Sequence, residues 1–551
     1  MVSKWSAASR KTATVAALAG MLAGWSGGPW LPTATAAASV ASVSGALPFD
    51  DVRDNFAAQA IANMAALHIL TGTTEDKFEP DKPVTRAEFM AMLDRLLGIE
   101  PVESALPSFP DVPKSAWFYR WVQPAIQLGL AKGTTQSSFA PNHPVTREEA
   151  AVLLARALKQ PLDANTASSA RIYRDQAQIQ TWSLPAVYRL WKLSLMSGDE
   201  DGSFRPKAPM TRQEAAVLLD RIWSYPGWSA EIQAALKTPI QLGWQYGQST
   251  AQYEKEVLSS GINTLSPRSF FLDKSGTVSD STDASLIAWA HGKGKKVWSM
   301  VGNRSDQAAT HAMLADAGRR SAFVQQLASL VRQYGLDGIN IDFENMAPGD
   351  RQTFTAFITE LNAALDKIPA VLSVDVSPDL GTDWTEVFDY AALGKAADYI
   401  VLMGYDEHWN GGAPGSVSSL PWLQQGLTTL LKQVSAARVI MALPLYNREW
   451  HTISGTTVSE EISLVRQNEL VTIMRAKVKW EETIGQYYAY YGTAASLHRI
   501  WLEDGRSLSL RIAFGQSLGV AGYGFWYMGG ESPDVWASMA NARRFASYSF
   551  D

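Results

Sequence analysis

The chemistry most legible in this chain lies in eight residues, Asp337-Gly338-Ile339-Asn340-Ile341-Asp342-Phe343-Glu344. Ile339, Ile341 and Phe343 alternate with Asn340, Asp342 and Glu344, a period of two that predicts a strand with one apolar and one polar face. Ser321 to Tyr334, just before it, has helical spacing, and Asn345 to Asp350 reads as a loop. Packing explains this polar line poorly, because neither acid belongs unpaired in a core. The α-carbons of Asp342 and Glu344 are expected roughly 6.6 Å apart on one side of the strand. A negative Asp342 disfavours ionisation of Glu344 and raises its pKa. A carboxyl group kept protonated near neutral pH can donate its proton to a leaving oxygen. Asp337 is out of phase with the line and reads as a structural residue at the strand entrance.

The stretch resembles the D-G-x-D-x-D-x-E signature of family 18 glycoside hydrolases, which cleave β-linked N-acetylhexosamine polymers. The resemblance implies a retaining, substrate-assisted mechanism with no metal and no cofactor. Glu344 would protonate the glycosidic oxygen, the substrate's 2-acetamido oxygen would attack the anomeric carbon, and Asp342 would orient that group. Asn340 stands where an aspartate is usual, which weakens any proton relay behind Asp342. Met403-Gly404-Tyr405-Asp406 resembles the family's M-x-Y-D segment. Tyr405 would then hydrogen-bond the acetamido group, Asp406 would bind sugar hydroxyls or the acetamido nitrogen, and Met403 would line the substrate site. Trp526 matches the tryptophan that floors the −1 sugar. Trp244 and Tyr246 are candidates to line the cleft.

Asn340 within D-G-I-N-I-D-F-E-N also looks like the bacterial subgroup that includes spore-cortex-lytic N-acetylglucosaminidases. So do Met300-Val301-Gly302-Asn303-Arg304, Asp406-Glu407-His408-Trp409, Pro414-Gly415 and Ser418-Ser419-Leu420-Pro421-Trp422. The implied substrate is peptidoglycan, with a surface-held chitinase on chitin oligomers as the alternative. A noncatalytic glycan-binding barrel and a structural envelope protein are the competing readings from other classes. His408 has no second His or acid at metal-ligand spacing.

The elements that must position these residues alternate between strand and helix. Strand-like runs fall at Ile240-Trp244, Thr264-Ser266, Lys296-Val301, Gly338-Glu344, Val371-Val376, Tyr399-Met403, Val439-Leu443 and Val520-Trp526. Helical stretches such as Arg351-Asp366 and Trp422-Val434 separate most of them. The pattern predicts an α/β fold, a (β/α)8 TIM barrel over 238–551, with Glu344 at the C-terminal end of the fourth strand, where active sites of this fold sit.

Ahead of the barrel the chain repeats itself three times, over 48–100, 108–160 and 172–224. Phe49-Asp50-Asp51-Val52, Phe109-Pro110-Asp111-Val112 and Tyr173-Arg174-Asp175 open the copies. In each copy a glycine (Gly72, Gly133, Gly198) precedes a phenylalanine by six residues, and eight residues later comes Arg86, Arg147 or Arg212. Each copy reads as helix, Gly-containing loop and helix. Thr85, Thr146 and Thr211 stand three residues before Glu88, Glu149 and Glu214, the spacing of a capping box. The repeats resemble S-layer homology domains. The resemblance implies noncovalent attachment to a secondary cell-wall polysaccharide of a Gram-positive-type envelope. Arg86, Arg147 and Arg212, beside free N–H groups at helix N-termini, suit an anionic sugar substituent; the alternative is that each braces the helix end by pairing with an acid.

Length and composition agree. At 551 residues, length suggests about three or four domains. A net charge of −6 without a long basic run argues against nucleic acid as a partner, and the absence of cysteine excludes disulfides and thiolate metal sites. Lys4, Arg10 and Lys11, an apolar Thr14 to Trp25, and the small-x-small runs Ala34-Thr35-Ala36 and Ala36-Ala37-Ala38 read as a secretory signal over 1–38. No later run reaches roughly 18 apolar residues, so the mature protein is expected to lack a transmembrane segment and to be secreted and wall-bound.

Overall fold

The computed structural model describes residues 48–135, 137–158, 171–234, 238–379 and 381–546. The expected leader, 1–38, and the last two residues of the second repeat, 159–160, lie outside the described residues.

Each repeat is a pair of helices: Ala58–Ala66 with Arg86–Leu97, Tyr119–Gln127 with Arg147–Ala157, and Leu184–Lys192 with Arg212–Ser224. Full capping boxes start the second helix of every pair, at Thr85/Glu88, Thr146/Glu149 and Thr211/Glu214. The aspartate that opens each copy has an equally local task. Asp51, Asp111 and Asp175 accept backbone N–H bonds from Phe78 and Glu79, from Phe139 and Ala140, and from Phe204 and Arg205. Those bonds hold Glu79, Ala140 and Arg205 in the left-handed region, at φ 55–57°.

The three copies close into a ring with a pseudo-threefold axis. Val84 N–H donates to the Met210 carbonyl, Met210 to Val145, and Val145 back to Val84, each at 2.9 Å. The arginines lock the same ring. Arg86 Nε donates to the Phe139 carbonyl, Arg147 Nε to Phe204 and Arg212 Nε to Phe78, at 3.0, 2.8 and 2.7 Å. Arg86 and Arg147 also pair with Glu149 and Glu214 at 3.2 and 2.8 Å, and Arg212 reaches Glu88 at 3.8 Å. The three arginines are only 7, 7 and 3 % exposed.

This corrects one expectation. Arg86, Arg147, Arg212 and the N–H groups beside them are not open to an anion. The first N–H groups of the three helices already donate across the ring: Arg86 to His143 and Ala87 to Pro141, Arg147 to Ala208 and Glu148 to Pro206, Arg212 to Lys82 and Gln213 to Pro80. A buried guanidinium needs fixed acceptors, and the neighbouring repeat supplies them.

The barrel strands are β1 (Ile240–Trp244), β2 (Thr264–Ser266), β3 (Lys296–Gly302), β4 (Gly338–Asp342), β5 (Val371–Val376), β6 (Tyr399–Met403), β7 (Val439–Pro444) and β8 (Gly522–Trp526). All eight pair in parallel, and the β1–β8 and β2–β3 pairings close the sheet into a barrel. Helices such as Ala317–Tyr334, Arg351–Leu365 and Leu420–Leu431 cross between strands and cover the outside. Asp337 behaves as its phase requires. Its carboxylate accepts from Val297 N–H at 2.9 Å and pairs with Lys296 and His291 below the barrel.

One element has no counterpart in the sequence reading. Between β7 and helix Gly505–Leu518 lies a five-stranded antiparallel sheet, in spatial order Thr456–Ser463, Tyr446–Ile453, Ser496–Leu502, Gln486–Thr493, Lys477–Glu481, with helix Leu464–Ile473 packed on it. The last helix, Val535–Phe545, joins the barrel to the repeats. Asn541 exchanges two hydrogen bonds with the Glu100 backbone, both 2.8 Å, and Phe545 is buried in the apolar core of the repeats.

Asp94, in helix Arg86–Leu97, is fully buried, and neither carboxylate oxygen has a hydrogen-bond partner among the described residues. Burial pushes its pKa well above the ordinary value, opposed by the charge of Arg95. An acid raised in the folded state contributes stability that is full below about pH 4 and is lost as pH rises through the folded value. Asp94→Asn is therefore expected to stabilise the chain by about 1–3 kcal/mol at pH 8, and by little at pH 4. Thermal unfolding of wild type and variant at the two pH values measures this; a pH-independent difference refutes it.

Candidate active site

The C-terminal ends of the strands open onto a cleft of about 560 Å³, lined among others by Glu344, Trp384, Met403, Tyr405, Asp406 and Trp409. β4 carries the polar line into it, but the strand ends at Asp342 and not at Glu344. β3 pairs with β4 only as far as Gly302 opposite Asp342. Beyond that point a side chain replaces the missing ladder. Buried Asn303 donates from Nδ2 to the Glu344 carbonyl (2.7 Å) and accepts the Glu344 N–H on Oδ1 (3.0 Å). Asn303 Nδ2 also reaches Thr310 Oγ1 at 3.0 Å. Ser305 Oγ donates to Glu344 Oε2 at 3.3 Å. Asn345, at φ 51°, turns the chain away and bonds the Ser305 carbonyl.

Asn340 sits deeper, fully buried, and ties four strands together. Its Oδ1 accepts from Trp244 Nε1 on β1 (2.8 Å) and, more weakly, from Ser266 Oγ on β2 (3.4 Å). Its Nδ2 donates to Ser373 Oγ (3.1 Å) and Asp375 Oδ1 (2.6 Å) on β5. An amide suits this place because it accepts on one side and donates on the other. A carboxylate here would face Asp375 with no donor between them. Trp244 is consequently a buried support and not a cleft wall. Its ring lies against Gly524 on β8, where a Cβ would come within 2.7 Å of it.

The acids are raised together. Asp342 is pushed up to about 8, first by burial, then by the charge of Glu344, against the pull of Arg268. Glu344 is raised by burial and by Asp406, opposed by the Ser305 hydrogen bond and by Arg268. Asp375 is raised well above the carboxylate range by burial and by Asp342. Proximity and burial together keep protons in the site near neutral pH.

Tyr405 lies two residues beyond β6. Its ring is nearly parallel to Trp526, centroids 6.4 Å apart at 19°, and edge-on to Tyr446 at 6.3 Å. Tyr246 lies against the same indole at 5.4 Å and is 40 % exposed. Asp406 takes φ 61° and accepts the Tyr446 hydroxyl at 2.5 Å, with Arg448 Nη2 3.9 Å from it. Glu407 accepts from the Ser419 N–H and hydroxyl at 2.6 and 2.9 Å, which fixes the loop carrying Tyr405 and Asp406. Met403 is buried at the cleft floor.

The structure thus brings Asp342, Glu344, Met403, Tyr405, Asp406 and Trp526 to one mouth with Asn340 buried below it, while Arg86, Arg147 and Arg212 lie in the repeats. Sequence reasoning missed Asn303, Ser305, Asp375 and Arg268 as supports, and Tyr446 and Arg448 on the added sheet. A signal for that sheet was present. Ser454-Gly455, both at positive φ, joins two strands of alternating pattern, the mark of a two-residue hairpin turn.

The family model for glycosyl hydrolases family 18 matches residues 246–531, just over half of the chain, and that for the S-layer homology domain matches 48–90, 108–151 and 172–216. The chain is a member of glycosyl hydrolases family 18. It is similar to an uncharacterized glycosylase of Bacillus subtilis, 27 % identical over 54 % of this chain and 90 % of that one. A cortical fragment-lytic enzyme of Bacillus cereus is 26 % identical over 51 % of this chain and 70 % of its own length. Among solved structures, a chitinase from Chromobacterium violaceum superposes with a TM-score of 0.51 at 24 % identity, covering 55 % of this chain and 98 % of that one, a likeness of fold. The family 18 assignment makes the barrel a glycoside hydrolase, and the three S-layer homology repeats make it part of a cell-surface protein.

Proposed function

We propose that the protein hydrolyses β-1,4 links to N-acetylglucosamine in peptidoglycan, with retention and with help from the substrate's own acetamido group. The observation that carries this reading is the pair Asp342 and Glu344, half-buried in one cleft mouth beside Tyr405 and both raised. Glu344 protonates the leaving glycosidic oxygen. The 2-acetamido oxygen closes on the anomeric carbon, and Asp342 holds the acetamido nitrogen as its charge develops. Tyr405 donates to the acetamido oxygen, Trp526 stacks under the sugar, and Met403 and Asp406 shape the site. Water then opens the ring intermediate with Glu344 as base. Asn340 acts through Asp375 and Trp244, holding the floor on which Asp342 sits. The similarity to a protein named cortical fragment-lytic enzyme favours peptidoglycan over chitin.

The repeats hold the enzyme at a cell wall by binding a secondary wall polysaccharide, and the leader at 1–38 directs secretion. The ring arginines are internal and hold the three repeats together. No helix among the described residues is long and apolar enough to cross a membrane. Sedimentation of the full chain with purified walls tests the attachment. Binding is expected to fall when free wall polysaccharide is added; binding unaffected by competitor counts against it.

Full chain with Glu344 intact and as Glu344→Gln should be compared on peptidoglycan and on chitin oligomers, with new reducing ends identified by mass spectrometry. N-acetylglucosamine ends from peptidoglycan are expected with the wild type and at least 10³-fold more slowly with the variant, the scale set by loss of an essential proton donor. Release from chitin alone would replace peptidoglycan with chitin. No release from either, with sugar bound, would make the barrel a binding module.

The proton held by the Asp342–Glu344 pair is needed for the first step, and both acids are raised. Asp375, Asp406 and Arg268 face the pair. Activity is therefore expected to be retained at neutral pH and to fall as pH rises through about 8. A pH profile of kcat/KM that stays flat to pH 10 contradicts this.

A further inference from the structure

Two arginines flank the mouth without a direct ion pair among the described residues, although Arg268 acts electrostatically on the half-buried Asp342 and Glu344. Arg268, just after β2, places its guanidinium carbon 4.8 Å from the ring centre of Tyr246 and 5.3 Å from that of Phe271. Arg304, just before Ser305, lies 4.0 Å over the other ring contact, Phe271 again. Among the described residues neither guanidinium has an ion pair or a hydrogen bond, although the chain carries more acids than bases. Arg268 Nε is moreover buried with no acceptor. The ring arginines Arg86, Arg147 and Arg212, by contrast, all donate to carbonyls and lie within 4 Å of a carboxylate. Two like charges gathered on one aromatic ring, one with an orphaned buried donor, are an unfilled demand for an anion.

The place of that anion follows from the rings. Tyr246 touches Trp526, the proposed floor for the sugar at the cleavage point, and Arg268 lies against Tyr246. The anion therefore belongs to the sugar unit adjoining the one on Trp526. We propose that Arg268, assisted by Arg304, recognises a carboxylate carried by that neighbouring sugar, namely the lactyl carboxylate of N-acetylmuramic acid. This rests on the reading of the barrel as a peptidoglycan hydrolase and deepens it into a basis for selectivity. Chitin carries no carboxylate in either unit. A planar guanidinium held by two rings is pre-set to meet a carboxylate with two parallel hydrogen bonds. A site built around such a bond discriminates strongly against a ligand that lacks it, because the donor is then left buried and unpaired. The electrostatic reach of Arg268 to both Asp342 and Glu344 agrees with this placement.

The test is a cycle between side chain and substrate. The full chain, as wild type, Arg268→Gln and Arg268→Lys, is assayed on three tetrasaccharides: alternating N-acetylglucosamine and N-acetylmuramic acid with free carboxylates, the same glycan with its carboxyls reduced to alcohols, and chitotetraose. For wild type, carboxyl reduction is expected to lower kcat/KM by about 10–100-fold, chiefly through KM. Arg268→Gln is expected to lose that preference, responding less than twofold to carboxyl reduction, with Arg268→Lys restoring part of it. A parallel loss on all three glycans would mean a packing role and overturn the proposal, as would a wild type indifferent to carboxyl reduction. A peptide-bearing glycan strand separates the two sources of carboxylate: a preference seen only there would assign the group to the stem peptide and overturn the lactyl assignment. Should wild type cleave none of them, the hydrolase reading fails on its own terms. Calorimetric titration of the same glycans then decides the carboxylate site: tenfold tighter binding of the acid form upholds it, and equal binding rejects it.

Discussion

The barrel is organised around holding three carboxyl groups close to one another, Asp375 buried and Asp342 and Glu344 half-buried at the mouth. Asp342, Glu344 and Asp375 are each raised by burial first and by one another or by Asp406 second. Such a cluster is tolerable only if protons stay on it and neutral donors divide it. Asn340 is the divider, accepting from β1 and β2 and donating to β5. Its neutrality matters more than its shape, since a fourth carboxyl at that depth would add another desolvated acid. Position is secured separately. Asn303 replaces the ladder where β4 runs out, so that Glu344 is held rigidly although it lies beyond the strand. Placement of an acid to within hydrogen-bond tolerance is what proton transfer demands.

The same economy of polar groups governs the repeats. Each repeat is too small to satisfy its own helix N-termini, arginine and loop carbonyls. Arranged as a ring of three, every repeat supplies the acceptors that the next one lacks. The ring explains why the motif must recur three times, and why its arginine is nearly inaccessible. Helix Val535–Phe545 extends the arrangement to the barrel, giving its inner face to β8 and its end to the apolar core of the repeats. Anchor and enzyme are therefore joined by packed side chains as well as by sequence.

Much of this was legible in the chain. A period of two announced β4 and apolar runs the other barrel strands, and the capping-box spacing located three helix starts to the residue. The C-terminal ends of β4, β6 and β8 were recognisable because their motifs are short and contiguous. The places where reading stopped short are of one kind. Asn303 stood in the sequence only as part of the run 300–304, and its task appeared when β3 and β4 were laid side by side. Trp244 looked like a cleft aromatic until the hydrogen bond to Asn340, 96 residues away, placed it inside. Arg86, Arg147 and Arg212 looked like ligand-binding cations until their acceptors were found 53 to 134 residues away in the next repeat. The added sheet after β7 went unread although its hairpin turn was visible, because its strands are half exposed and lack the apolar runs that marked the barrel strands.

By itself, then, the sequence determined the element types, the number of repeats, the closed parallel barrel and the identity of the acids at its mouth. Those follow from backbone preferences and side-chain periodicity, which neighbours in the chain decide. Only the tertiary structure decided which polar groups are buried, which of them have partners, and hence which acids keep their protons and which arginines remain unanswered. Desolvation and hydrogen bonding depend on atoms brought together from distant parts of the chain, and no local pattern encodes that meeting.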